Sequence, residues 1–482
     1  MIEIPSKTRH LTYISTCSIT NYLLGILLLM YCAPLAAQDS HYWNLSYGTR
    51  STLLNGVVIG SHLDISSTYY NPGALGLIDN PALLLSGQIY TMTSYLFQDG
   101  AGDDIDLSSL KFRKEPDIIA GLTTLDKLAE TRLAISYLSR QRVKFRLKTR
   151  QGELRDVIAR SPGEEPFGSE VILDQDMNED WAGLTVSKKI NDNVGFGVTN
   201  YVAVRNQRLR SQVVSEAVTD RDVAVTLDFS EVDYSHWRLL WKLGLAIERD
   251  RLNLGFSMTT PSVSLGFIGF LAKGTAIVNE TVTGQDVNGD GLDNVFAAGT
   301  AQEGVDAHYK SSWALGMGGS YRFTNATIHF SVEWFNAVKE FDVLQVEDIA
   351  VANSDRTIPL RVTHKQNSVI NFGFGYEYQF NPKFSGYGSF STDFSALEKG
   401  KITDIAITNW DIFHLTVGGR IKIPTFELTL GLGYSFGSGI NQQPLNFTDA
   451  HESNFLLGTR GDIESKYQRL TAILGFSFNL GG

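Results

Sequence analysis

Five cations recur at every second residue of one stretch: Arg140, Arg142, Lys144, Arg146 and Lys148, with Val143, Phe145 and Leu147 between them. On an extended chain a spacing of two puts such residues on one face. A row of this kind could hold the carboxylate of an amphipathic molecule, or it could be hydrated and paired with acidic side chains. Arg238, Lys242, Arg322, Arg420 and Lys422 are further candidate cations, with Glu248, Glu333, Glu377 and Glu427 as counter-ions. A second constellation, Asp286-Val287-Asn288-Gly289-Asp290-Gly291, has oxygen ligands at positions one, three and five and Gly at six, like the start of a calcium loop. Ala297 stands where a bidentate Glu would close it, so Asp286, Asn288 and Asp290 make either a weak Ca²⁺ site or a polar turn.

Catalytic patterns are weak. Gly433-Tyr434-Ser435-Phe436-Gly437 spells a nucleophile elbow, but it lies within an alternating run instead of a strand-to-helix turn. The nine histidines show no metal spacing, and no Ser/His/Asp set can be assembled. The expectation is a protein that is not an enzyme and requires no cofactor.

The elements that must carry these residues are strands. In 425–437, Phe426, Leu428, Leu430, Leu432, Tyr434 and Phe436 alternate with Glu427, Thr429, Gly431, Gly433, Ser435 and Gly437, and the last segment repeats the pattern. Strands read at 84–97, 115–124, 131–149, 179–190, 193–208, 233–249, 251–267, 307–323, 325–340, 362–380, 383–395, 408–423, 425–437 and 466–480 number fourteen. Their connections alternate between short ones, such as Asn381-Pro382-Lys383, and long ones at 98–114, 150–178, 209–232, 268–306, 341–361, 396–407 and 438–465. An even count with tight turns at one end and long loops at the other is what an outer-membrane barrel needs. Closure also satisfies every backbone group within lipid. If the cations between Arg140 and Lys148 belong to such a wall, they must point into the lumen or its outer rim.

Composition agrees. The chain has 482 residues, 43% hydrophobic and 19% charged, with 45 glycines. Lys7 and Arg9 precede an apolar run, Leu23 to Met30, and Ala33-Pro34-Leu35-Ala36-Ala37 follows, which predicts a signal peptide over 1–37. Both cysteines, Cys17 and Cys32, fall inside it, so no disulfide holds the remainder. A net charge of −11 argues against a nucleic-acid partner.

One stretch fits no wall. Gly48 to Asn80 is rich in Gly, Ser and Asn, has no period, and carries Asn71-Pro72-Gly73 after Tyr69-Tyr70. Irregular backbone needs partners for its polar groups. With fourteen strands it starts beneath the barrel mouth and could enter as a plug. Gly183, Gly195, Gly197, Gly255, Gly316, Gly318, Gly373, Gly375, Gly431, Gly433 and Gly475 all phase inward, as glycine does where another backbone approaches. The alternative is that they relieve curvature in the wall. The predicted regions are a signal peptide (1–37), a hatch (38–82) and a barrel (83–482). The predicted fold is all-β, a 14-stranded antiparallel transmembrane β-barrel with an N-terminal plug (hatch) inside the lumen.

Trp43, Gly48 and Arg50, then Gly56-Val57-Val58-Ile59-Gly60, Asp64, Ser66 and Tyr69-Tyr70-Asn71-Pro72-Gly73-Ala74-Leu75 resemble the N-terminal hatch of the FadL/TodX family of outer-membrane transporters for long-chain fatty acids and aromatic hydrocarbons. The family's Asn-Pro-Ala is Asn-Pro-Gly here, and the chain ends in Gly481-Gly482 in place of a terminal aromatic. The resemblance implies passive uptake across the outer membrane of a Gram-negative bacterium. A hydrophobic small molecule is caught by outer loops, passes a lumenal site and leaves sideways through a wall opening when the hatch moves. It marks Gly48, Arg50, Gly60, Asp64, Tyr70, Asn71, Pro72 and Gly73 as hatch residues. Arg140, Arg142, Lys144, Arg146, Arg238 and Arg420 are the candidate substrate-binding residues. Partners are then outer-membrane lipid and the hydrophobic substrate. The alternative is a family-related scaffold that binds exported proteins for a secretion system through its extracellular loops.

Overall fold

The computed structural model describes residues 40–479 apart from 62, 79–81, 115–117, 126–130, 159–160, 221–222, 279–294, 352–356, 398–403, 408 and 424–425. The predicted signal peptide and the candidate calcium loop at 286–294 lie outside the described residues.

Fourteen antiparallel strands form one closed wall. They are β1 (Ala82–Phe97), β2 (Leu107–Arg113 continued by Ile118–Leu125), β3 (Thr131–Arg155), β4 (Glu165–Asn191), β5 (Val194–Val218), β6 (Val223–Arg249) and β7 (Leu252–Thr259 continued by Val263–Val278). Then come β8 (Val295–Val305 continued by Ala314–Arg322), β9 (Ala326–Phe335), β10 (Val369–Asn381), β11 (Phe384–Asp393), β12 (Asp411–Lys422), β13 (Phe426–Gln442) and β14 (Asp462–Asn479). Each pairs with the next, and β14 returns to β1 from Ala82↔Asn479 to Phe97↔Ser465. Closure leaves no edge exposed. Ile135, Leu184, Phe196, Phe256, Met317, Phe374, Val417, Leu432 and Leu470 are exposed around the outside, the apolar belt that hydrocarbon selects.

Three of the expected long loops are mostly wall. β3 runs to Arg155, β4 starts at Glu165, β5 reaches Val218, β6 starts at Val223, and β7 and β8 pair up to Val278↔Val295. Strands of 25 to 27 residues far exceed the 9–11 that cross a membrane. The reason is an inversion of polarity without a change of pleat. Low on β4 the outward residues are Leu184 and Val186 and the inward ones Thr185 and Ser187; higher up, Asp174 and Asp176 face out while Val171 and Met177 are buried. Above the hydrocarbon the barrel becomes an ordinary water-soluble sheet around an apolar interior.

On β3 the pleat itself shifts. A β-bulge between Ser139↔Asp180 and Gln141↔Glu179 makes Arg140 the extra residue, so Arg140 and Gln141 are both buried. Beyond it Val143, Phe145 and Leu147 turn inward, and Lys144, Arg146 and Lys148 face out.

Residues 40–78 fill the lower lumen as the plug. It contains α1 (Thr49–Leu53), α2 (Ser67–Tyr70) and a 3₁₀ turn at Pro72–Leu77, which Asn71 caps by accepting from Gly73 N at 3.1 Å. Pro72 suits the first helical position because no partner for its nitrogen is needed there. Wall side chains complete the hydrogen bonding of the irregular backbone. Thr199 Oγ1 and Tyr201 OH both donate to Thr68 O at 2.8 Å, Ser389 Oγ donates to Leu53 O at 2.9 Å, and Asp393 Oδ1 accepts from the backbone N of Tyr42 and Trp43 at 2.9 Å each.

Candidate functional site

The inner wall is cut to the shape of the plug. A Cβ on Gly73 would meet Gly244 O at 2.6 Å and Gly195 O at 2.7 Å; one on Gly60 would meet Gly318 C and O at 2.4 Å. Of the glycines expected to face inward, Gly195, Gly197, Gly255, Gly316, Gly318, Gly373, Gly375, Gly431 and Gly475 lie against plug atoms. Gly183 and Gly433 border wall side chains instead, and Gly244 and Gly418 join the track unforeseen. The other hatch residues knit the plug together. Gly48 has φ +96° and lies against Ser66 and Asp64. The Asp64 carboxylate accepts from Ser66 N at 2.9 Å and Ser51 Oγ at 3.3 Å, and Tyr70 OH accepts from Tyr47 N at 2.8 Å. Asn71 Nδ2 donates to Ile59 O at 2.9 Å and to Leu245 O of β6 at 3.0 Å. Arg50 pairs with Glu377 at 2.8 Å.

Above the plug lies a layer of buried charge. Glu179 on β4 is paired with Arg205 Nη1 at 3.0 Å and Arg238 Nη2 at 2.5 Å, and accepts from Trp181 Nε1 at 2.7 Å. The Tyr309 ring is flanked by Arg205 at 4.1 Å and Arg238 at 4.8 Å. Lys242 Nζ sits 4.6 Å from the centre of the Tyr69 ring and 3.4 Å from Glu333, whose other oxygen accepts from Trp43 Nε1 at 2.8 Å. The Arg140 guanidinium stacks near Tyr69 and Trp181 at 5.7 and 5.6 Å. Its Nε and Nη1 find no acceptor among the described residues. Four cations thus face two carboxylates in this layer. A buried guanidinium with donors to spare has the geometry and charge to receive a carboxylate.

The sequence candidates separate here. Arg140 and Arg238 meet in the lumenal layer. Arg420 lies lower, 3.3 Å from Glu427 and 3.9 Å from Glu377, so it belongs to the network anchoring Arg50. Arg142, Lys144 and Arg146 are corrected: the bulge carries them, with Lys148, to the outer face. There they pair with Asp180, Asp176, Asp174 and Glu170, at 3.4, 2.5, 3.9 and 2.8 Å in order. Lysine and arginine on the outside of the wall are tolerated above the hydrocarbon, and each gains a cross-strand partner. Arg322 is likewise exposed. Glu179 and Arg205 were missed, although Arg205 shares the parity of Gly195 and Gly197 on β5 and could have been read as inward.

Two further features bound the site. The segment 443–461 folds across the outer mouth: Phe447 stacks on Phe167 at 4.9 Å, Arg155 Nη1 donates to Phe447 O at 2.6 Å, and Glu452 N donates to Val157 O at 3.0 Å. In the wall, the ladder between β7 and β8 stops at Gly269↔Val305 and resumes at Thr259↔Ala314. Across this seam β8 turns away, with His308 N donating to Val343 O at 2.7 Å, and Val263, Leu265 and Ile268 are more than half exposed. Trp237 on the adjacent β6 and the Trp313–Trp334 pair mark this level of the outer surface.

Ser435 Oγ of the elbow-like motif lies 2.7 Å from His414 Nδ1, but His414 Nε2 finds no hydrogen-bond partner among the described residues, so no triad forms among them. Where plug meets wall, the cavities lined by Arg469 and by Lys242 measure about 20 and 10 Å³, each room for about one water molecule. Neither of these two gaps passes anything larger than water.

No family model matches the sequence, and no curated protein matches it. Solved structures match it in fold. A FadL homologue of Pseudomonas aeruginosa shares 11% identity over 93% of this chain and 100% of its own, with a TM-score of 0.57. The toluene transporter TodX of P. putida shares 13% over 91% and 99%, TM-score 0.56. The CymD monoaromatic hydrocarbon channel shares 10% over 91% and 99%, TM-score 0.51.

Proposed function

We propose, taking the FadL/TodX-type plugged barrel as the premise, that this protein carries hydrophobic small molecules with an acidic head group passively across the outer membrane of a Gram-negative cell. The solved proteins of this fold include a toluene transporter and a hydrocarbon channel, whose named cargoes are neutral. The observation that favours an acid here is Arg140: a fully buried guanidinium at the top of the plug, beside two neighbouring aromatic rings, with two nitrogens lacking acceptors among the described residues. The aromatic faces suit the first methylenes of a chain and the guanidinium its carboxylate. Apolar side chains of the upper lumen, including Tyr95, Phe145, Met177 and Trp410, lie between this layer and the outer mouth. The β7–β8 seam is the exit this reading favours, because it is where the wall lacks ladder hydrogen bonds to break.

The test is binding by the purified protein of a long-chain fatty acid against its methyl ester and against toluene. The acid binds more tightly than the ester, and Arg140→Met weakens acid binding about 10- to 100-fold, the loss of a charge-assisted hydrogen bond, while toluene binding stays unchanged. Equal affinity for acid and ester, or acid binding indifferent to Arg140→Met, contradicts the reading.

A further inference from the structure

His414, Ser435 and Arg469 stand side by side in one row across β12, β13 and β14, in the registers His414↔Ser435 and Ser435↔Arg469. All three are buried, and they face plug residues 43–46. Arg469 Nη1 and Nη2 donate to Asn44 Oδ1 at 2.9 Å and Asn44 O at 2.6 Å, so this row is also a tether between wall and plug.

Arg469 fixes the direction of the first hydrogen bond in the row. A guanidinium only donates, so Arg469 Nη2 gives a hydrogen to Ser435 Oγ at 3.4 Å. With Ser435 as the donor to His414 Nδ1, 2.7 Å away, the hydrogen of the neutral imidazole lies on Nε2, and the inference takes this tautomer. His414 Nε2 and Arg469 Nε both lack acceptors among the described residues. Arg469 also has no carboxylate within 4.0 Å among them. Both residues, and the positive charge of Arg469, line one small polar cavity of about 20 Å³. A water molecule could accept from both donors but would leave the charge uncompensated, and burying a lone charge is costly.

We infer that this cavity binds a small monovalent anion of halide size, which holds the plug against β12–β14. Its volume excludes an acyl tail, so the site is distinct from the Arg140 layer. The inference does not rest on the proposed cargo.

The experiment uses the full chain, purified in detergent, at constant ionic strength and sodium in chloride, bromide or gluconate, an anion too large for the cavity. Thermal unfolding is expected several degrees higher in either halide than in gluconate. A crystal grown in bromide should show an anomalous peak in the cavity lined by Arg469 and His414. Arg469→Met abolishes the difference between halide and gluconate; should it fail to fold, His414→Phe, which removes the second donor, is read in its place. Equal unfolding temperatures in all three salts for the native chain, or a halide effect undiminished in the variants, overturns the inference. So does a bromide crystal with only solvent density in the cavity.

Discussion

At the scale of single residues, the plug is seated by glycines whose absent side chains make room. Gly73 is pinched between two wall backbones, at Gly244 and Gly195, and neither can give. Gly73→Ala is therefore expected to cost about 1–3 kcal/mol of plug docking, as overpacking does. Gly121→Ala on β2, where a Cβ meets nothing within 4 Å, serves as the control and should be neutral. Limited proteolysis of residues 40–78 compares the two, and equal resistance would refute the claim. Most of this glycine track was legible because alternation alone assigns a face to each residue of a strand. Gly244 was equally legible, since it shares the parity of Arg238 and Lys242 on β6, but it was left out of the inward set. The face of Lys144 and Arg146 was misread for a different reason: a bulge leaves no mark in the sequence, and Arg140 as the extra residue looks like any other member of the row.

At the scale of elements, the strands came out of the sequence and the loops did not. Polarity inverts along β3 to β6 where the wall leaves the hydrocarbon, and a reader seeking apolar residues outside stops too early. The outer face of this extension carries crossed charge rows, Lys144↔Asp176↔Arg208↔Asp233 and Arg146↔Asp174↔Arg210↔Glu231. Nearby, Lys148 holds the Glu170 carboxyl below the usual carboxylate range. A depressed carboxyl contributes stability that is present above its unfolded pKa and lost as pH falls through its folded one. The extension should therefore loosen in acid, below about pH 4, before the belt does. Hydrogen exchange of residues 165–176 at pH 3 against pH 7 measures this, and exchange insensitive to pH once corrected for intrinsic rates would count against it. The seam makes a second prediction at this scale. Ser262 N donates to Ser311 Oγ at 2.9 Å across it, and both cysteines of the chain precede residue 38, so a Ser262→Cys, Ser311→Cys pair introduces the only thiols beyond them. Oxidation should staple the seam and stop uptake of a labelled fatty acid, and reduction should restore it. Uptake that continues with the staple closed would place the exit elsewhere.

At the scale of the whole molecule, three levels stack along the lumen: the plug, the buried charges above it, and the apolar mouth under residues 443–461. On the proposed function the plug has to move for cargo to pass, since the gaps lined by Arg469 and by Lys242 between plug and wall are water-sized. The barrel should stand without the plug, because its ladder closes on itself from β14 to β1. The most direct measurement is ion current through a planar bilayer for the full chain and for a variant lacking residues 40–78, with folding of both checked by heat-modifiable mobility on a gel. The full chain is expected to carry no steady current and the deletion to carry a large one. A full chain that conducts as freely as the deletion would mean that the bore was never closed.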